Sequence, residues 1–287
     1  LKLGVSSYSL FRAINEGRMT IIDVVQWIAD QGGEHIEIVP AGFTLVDNPE
    51  LIDSIRAAAE KAGIEISGYC VGNNFVTSSE EELQQRIADL KVHVDIANRL
   101  GVKRMRHDVA SRPIPETGIQ QFEADLPTLV RACQEVADYA AQYGITTSVE
   151  NHGFYIQAAD RVKRLVTEVN RENFKTTVDI GNFMCVDENS VVSVKKNLPI
   201  ASMVHFKDFY VRPPYREFGE GWFRTAGGYN LRGAIAGQGD IDLPGVIRVL
   251  KDYGYDGYIS LEFEGMENCE QGTRLGLAQI RKLWNEA

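Results

Sequence analysis

Four short apolar runs in this chain each stop at a side chain that can bind a cation or move a proton. Ser148-Val149 leads into Glu150, Thr177-Val178 into Asp179, Met203-Val204 into His205, and Ser260-Leu261 into Glu262. Three carboxylates and one imidazole suit a divalent cation with oxygen-rich, roughly octahedral coordination. Mn2+ fits first, with Mg2+ and Co2+ beside it. Zn2+, which favours thiolates and imidazoles, fits less well. Without a cation between them, such carboxylates would repel one another and resist ionisation. A lone acid at a strand end is more often solvated or a helix cap, so the argument rests on the four endings occurring together.

Side-chain alternation along a strand adds neighbours to this set. Glu264 falls on the same side as Glu262 and competes with it as the fourth ligand; Glu262 lies nearer the apolar run. His152 follows Glu150, and Lys207 follows His205, each one step further out toward a substrate. Arg106 and His107 end an earlier run on opposite faces, so only one of them can point fully inward. His107 and His152 are the expected additional acid–base groups, and Arg106 and Lys207 the expected substrate contacts. His35 and Glu37 share a face of another run. His35 and mid-helix His93 read as buried histidines satisfied by backbone.

Endings this far apart in sequence need a fold that gathers distant strand ends at one point. Strand patterns occur at 3–8, 35–39, 64–69, 102–107, 145–150, 174–179, 201–206 and 258–263. Helical spacing fills the intervals, including 21–30, 50–62, 119–143, 158–170, 189–197 and 271–285. Asn48-Pro49 is a good helix start, Ser78 with Glu81 looks like a capping box, and Gly33, Gly63, Gly101, Gly144 and Gly254 separate helix from strand. Eight strand–helix units in 287 residues predict one (β/α)8 TIM barrel spanning 1–287, with an open doubly wound sheet as the alternative. No glycine-rich nucleotide fingerprint is present. Residues 208–242 are predicted to be a long loop without regular structure, leaving the active-site end of strand seven and covering substrate. Arg212 and Trp222 in it are expected to touch that substrate. Lys207, Arg212, Arg216 and Arg224 could hold a phosphate or carboxylate, unless the loop is simply solvated.

Composition bounds the partners. The chain is 44% hydrophobic and 24% charged, with a formal net charge of −10. An acidic surface argues against nucleic acid and against anionic membrane. No apolar run is long enough to span a bilayer and no signal peptide is visible. Cys70, Cys133, Cys185 and Cys269 form no C-x-x-C pair, which predicts free thiols and a cytoplasmic location.

The stretches SVENHG (148–153), TVDIGN (177–182), MVHFKD (203–208), GQGDID (237–242) and YISLEFEG (258–265) resemble the xylose isomerase-like barrels. That superfamily includes sugar isomerases, ketose 3-epimerases, inosose dehydratases and endonuclease IV. The resemblance implies one divalent metal held by Glu150, Asp179, His205 and Glu262. It also implies that Glu150 and Glu262 act as acid and base on opposite faces of a sugar, through an enediolate. Ketose epimerases commonly carry a histidine three residues after the strand-six aspartate; here that residue is Asn182. The same change removes a histidine that endonuclease IV uses for its zinc cluster. The expected activity is therefore metal-dependent isomerisation or epimerisation of a sugar or sugar derivative. The alternatives are a lyase or dehydratase on a keto-sugar, cyclitol or keto-glycoside, a sugar-binding barrel without catalysis, and a phosphodiesterase. Barrels of this kind often pair through loop and helix faces, which makes a homo-oligomer the other expected assembly.

Overall fold

Helix and strand alternate along the chain because each helix buries one apolar stripe against the outward, apolar face of the strands. The computed structural model describes residues 1–287. Eight strands run parallel: β1 (Lys2–Ser6), β2 (His35–Ile38), β3 (Glu65–Val71), β4 (Arg104–His107), β5 (Thr146–Glu150), β6 (Phe174–Asp179), β7 (Ala201–Phe206) and β11 (Tyr258–Leu261). They close in the order β1-β11-β7-β6-β5-β4-β3-β2. The sheet is a closed barrel, and the open doubly wound alternative is excluded.

The outer helices start and stop where local chemistry requires. Helix α2 (Ile21–Asp30) begins with a Thr20–Asp23 capping box and buries Ile21, Val24, Val25 and Ile28. Helix α3 (Pro49–Ala62) is capped by Asn48 and closed by left-handed Gly63. Helix α4 (Glu80–Leu100) corrects the sequence reading by one residue. Ser79 is its cap, accepting from Glu82 N, and the Glu82 carboxylate reaches back to Ser78 N. Helices α5 (Ile119–Ala141), α6 (Ala159–Val169), α7 (Ser190–Asn197), α8 (Leu243–Tyr253) and α9 (Cys269–Glu286) complete the ring; a short α1 (Phe11–Asn15) follows β1.

The stretch 208–242 is not the structureless loop expected. It folds as a three-stranded antiparallel sheet in the order β8-β10-β9, made of β8 (Asp208–Arg212), β9 (Phe223–Arg224) and β10 (Asn230–Ala234). These strands are short and interrupted by prolines and glycines, so they carry no clear period. What holds them is a buried carboxylate. Asp208 accepts from the N–H groups of Phe209, Gly237, Gly239 and Ile241, tying the start of the insert to its end. Gly233 in β10 lies against the backbone after β11; a Cβ there would stand 2.5 Å from Glu264 O.

Candidate active site

Register places the chemistry-bearing strand ends on one face. Asp179 on β6 pairs with His205 on β7, Ser260 on β11 also pairs with His205, and Glu150 closes β5 beside Thr177. Glu262 continues the β11 ladder by donating its N–H to Phe206 O. One ligand atom from each of Glu150, Asp179, His205 and Glu262 can be chosen so that all lie within 4.8 Å of one another, and all four residues are buried. Asn151 fixes two of the strand ends. It accepts from Asp179 N at 2.8 Å and donates to Asp179 O at 2.8 Å.

The four side chains differ in what surrounds them. Asp179 Oδ1 accepts from Gly181 N and Asn182 N. Its Oδ2 is buried without a hydrogen bond, and burial pushes this carboxyl up to about 6, with Lys207 pulling the other way and Glu150 and Glu262 adding to the rise. Glu150 is also buried, but the Arg106 guanidinium against it outweighs burial and holds it well below the usual carboxylate range, with help from His205. Burial opposes the charge on His205, yet Glu37 and Glu262 raise its pKa well above the ordinary value. Lys207 Nζ lies 3.3 Å from Asp179 Oδ2, 3.3 Å from Glu262 Oε2 and 3.4 Å from Glu264 Oε2.

Above this cluster opens a cavity of about 180 Å³, lined by Tyr8, Cys70, Arg106, Glu150, Lys207 and Glu262 among others. His152 stands at its mouth with half its side chain open to solvent, its Nδ1 3.2 Å from Asp108 Oδ1. Burial lowers the pKa of His152, but Asp108 outweighs it and the net shift is upward. Larger clefts exist. One of about 640 Å³ lies between Arg56, Lys103, Arg104 and Tyr258, at the opposite, N-terminal ends of the strands. It is open surface between helix ends and holds none of the strand-end residues.

The structure brings Glu150, Glu262, Arg106, Lys207 and His152 to the lining of one cavity, with Asp179 and His205 buried against Glu150 and Glu262, and leaves the other candidates outside. Of the pair ending β4, Arg106 is the inward one. His107 points away from the cavity, packed near Phe75 and Phe174, and burial drops its pKa to about 4. Arg212 and Trp222 belong to the insert, where Arg212 pairs with Asp240 at 2.9 Å and lies over the Trp222 ring at 5.9 Å; neither lines the cavity. His35 is buried on backbone carbonyls of Lys2 and Ile259, as expected. His93, expected on backbone, instead meets the Tyr69 hydroxyl. Glu37, Cys70, Asp108 and Tyr8 were missed as site residues. Glu37 had a signal, since it follows His35 on the inward face, but its strand ends in Val39 rather than at a polar residue.

A closed parallel barrel with a buried carboxylate–imidazole cluster at the C-terminal mouth is the architecture of a (β/α)8 enzyme site. The model of the xylose isomerase-like TIM barrels matches residues 25–283, and the chain belongs to that family. An inosose dehydratase from Clostridium perfringens is 22% identical over 241 residues, which cover 79% of this chain and 80% of that protein. Among solved structures, the IolI protein with a bound zinc atom superposes with a TM-score of 0.77 at 19% identity, covering 100% of this chain and 99% of that one. The E. coli 3-keto-D-glucoside 4-epimerase YcjR superposes with a TM-score of 0.74 at 18% identity, covering 98% and 99%. No helix of the chain is long and apolar enough to cross a membrane.

Proposed function

We propose that the protein is a divalent-metal-dependent isomerase or epimerase of a small sugar or sugar derivative, acting by proton removal next to a carbonyl. The observation that carries this reading is the convergence of Glu150, Asp179, His205 and Glu262 beneath one small cavity. The donor set fits a divalent ion. Asp179 Oδ2 is buried with no hydrogen bond and has only the Lys207 ammonium 3.3 Å away, so an acceptor position stays open for a divalent cation. Oxygen donors outnumber the single imidazole, which favours Mn2+, with Mg2+, Co2+ and Zn2+ as the other candidates. A divalent ion held there would supply Lewis acidity at the substrate carbonyl and so acidify the neighbouring C–H.

The chain's own residues divide the rest of the work. Glu150 on β5 and Glu262 after β11 sit on strands separated by β6 and β7, so the cavity has a carboxylate on each of two walls. One takes the proton and the other returns it to the opposite face. Arg106 keeps Glu150 ionised and ready to accept. Lys207, buried among Asp179, Glu262 and Glu264, offers hydrogens to a substrate oxygen. The cavity's size admits a small polar molecule rather than a polymer.

Elimination is the second reading, and a specific observation favours it. The His152–Asp108 pair stands at the mouth apart from the ligand set, where an acid could protonate a leaving group. The resemblance to inosose dehydratases points the same way. Metal analysis before and after chelation, followed by ketoses and keto-glycosides incubated in D2O, tests both. About one divalent ion per chain and deuterium at the carbon beside the carbonyl are expected. Recovery of both epimers supports epimerisation, and loss of a leaving group supports the lyase. A chain that takes up no metal would make a non-catalytic sugar-binding barrel the leading reading.

A further inference from the structure

Glu37 and Cys70 take no part in the chemistry proposed above, yet the barrel is built around them. Strand β2 shifts its register against β3 between Ile36 and Glu37, a local irregularity of the kind that re-aims a side chain. Gly68 on β3 pairs with Glu37 and leaves it room; a Cβ there would stand 3.3 Å from Glu37 Oε1. The carboxylate so placed is only 1% exposed. Burying an acid this completely is costly unless its oxygens are used.

Both are used. Cys70 Sγ donates to Glu37 Oε1 at 3.0 Å. Glu37 Oε2 lies 2.7 Å from His205 Nε2. Both atoms are buried and neither makes a hydrogen bond, although their separation is within hydrogen-bonding distance. The other ring nitrogen, Nδ1, faces Glu150 Oε1 at 3.2 Å and Glu262 Oε1 at 3.5 Å. The imidazole is thus divided, one nitrogen toward the ligand carboxylates and one toward Glu37.

We infer that Glu37 is the positioning residue of the metal centre. It accepts the Nε2–H of His205 and so fixes the tautomer whose Nδ1 lone pair points at the ligand set, while Cys70 holds Glu37 in place. A carboxylate behind a ligating imidazole orients the ring and raises its basicity. The inference rests on the reading of His205 as a metal ligand. A rival arrangement uses the same atoms: Glu37, Cys70 and His205 also lie close enough together to hold an ion of their own.

The test uses the full chain as wild type, Glu37→Gln, Glu37→Ala and Cys70→Ser, each checked for folding by circular dichroism. Mn2+ binding is followed by calorimetry, and the His205 ring by long-range 1H–15N spectra of the Zn2+-loaded protein. About one Mn2+ per wild-type chain is expected. Affinity should fall roughly 10–100-fold in Glu37→Ala, and by less in Glu37→Gln, which keeps an acceptor without the charge. Cys70→Ser should stay near wild type, because a hydroxyl replaces the thiol donor. The spectrum should show the proton on Nε2. Where Glu37→Ala does not fold, the isosteric Gln variant carries the comparison. Equal affinity in wild type and the folded Glu37 variants overturns the inference, as does a proton on Nδ1. Two ions per chain, one of them lost in Cys70→Ser, overturns it in favour of the second ion site. A wild-type chain that binds neither Mn2+ nor Zn2+ instead refutes the metal-centre reading beneath it.

Discussion

Glu150 and His107 end neighbouring strands, yet they meet opposite environments, and substitution should separate them. Glu150 faces the cavity with Arg106 against it. Glu150→Gln keeps the shape and removes the base, so turnover should fall by roughly 10²–10⁴-fold while the circular dichroism spectrum shows the fold retained. Near-normal turnover would remove Glu150 from its acid–base role. His107 lies among aromatic rings, with its Nδ1 3.0 Å from Asp108 O and its Nε2 buried without a partner. His107→Phe removes one hydrogen bond and one orphaned nitrogen, so stability should change by no more than about 1–2 kcal/mol. Turnover should change by less than about tenfold, the equivalent of 1.4 kcal/mol in barrier. A loss comparable to that of Glu150→Gln would restore His107 to the chemistry. Sequence alternation could say that Arg106 and His107 point oppositely. Which of them points inward depends on how β4 is rotated in the closed barrel, and no local pattern carries that.

At the scale of elements, the antiparallel insert and the α5 region each hang on a few polar contacts. Gly233 of β10 packs against the backbone of Glu264, whose side chain reaches Lys207 at 3.4 Å. Gly233→Ala should force insert and barrel apart, at a cost of about 1–3 kcal/mol, read as a lower melting temperature. An unchanged melting temperature would mean that the insert yields without resistance. Asp125 on α5 accepts from Arg112 Nε at 2.8 Å, Tyr155 Oη at 2.6 Å and Gln121 Nε2 at 3.0 Å. Burial pushes its carboxyl up, but these hydrogen bonds and the Arg112 charge outweigh it and the folded pKa is depressed. A depressed carboxylate contributes stability above its unfolded pKa, about 4, and loses it as pH falls through the folded value. Asp125→Asn should therefore cost roughly 1.5–3 kcal/mol at pH 7, and the gap to wild type should narrow as pH falls below the unfolded value of about 4. A gap independent of pH would show that packing, not charge, is what the substitution removes. The periodic helices and strands were legible in sequence, whereas β8, β9 and β10 were not. Their order comes from Asp208 collecting three distant N–H groups, of Gly237, Gly239 and Ile241, a contact with no local signature.

For the whole molecule, a cation among the carboxylates would couple metal binding to global stability. An ion that binds only the folded chain adds about 4 kcal/mol at a thousand times its Kd, roughly 7 °C in melting temperature for a chain of this size. Mn2+ should raise the wild-type melting temperature, EDTA should reverse the rise, and His205→Ala should weaken the response. An equal rise in His205→Ala would exclude that residue as a ligand. The amino-acid sequence alone determined the barrel, because eight apolar strands separated by amphipathic helices can bury their faces in few other ways. It also pointed to Glu150, Asp179, His205 and Glu262, because each follows an apolar run directly and parallel closure brings such endings to one face. Tertiary structure alone decided the rest. It brought Glu37 from β2 behind His205 across the barrel, and Asp108 beside His152 between the neighbouring ends of β4 and β5, because these pairings join different strands rather than run along one. It also placed Arg212 and Trp222 on each other within the insert instead of on the cavity. Local sequence sets which face of an element is apolar, but the rotation and stagger of eight strands set which polar side chains meet.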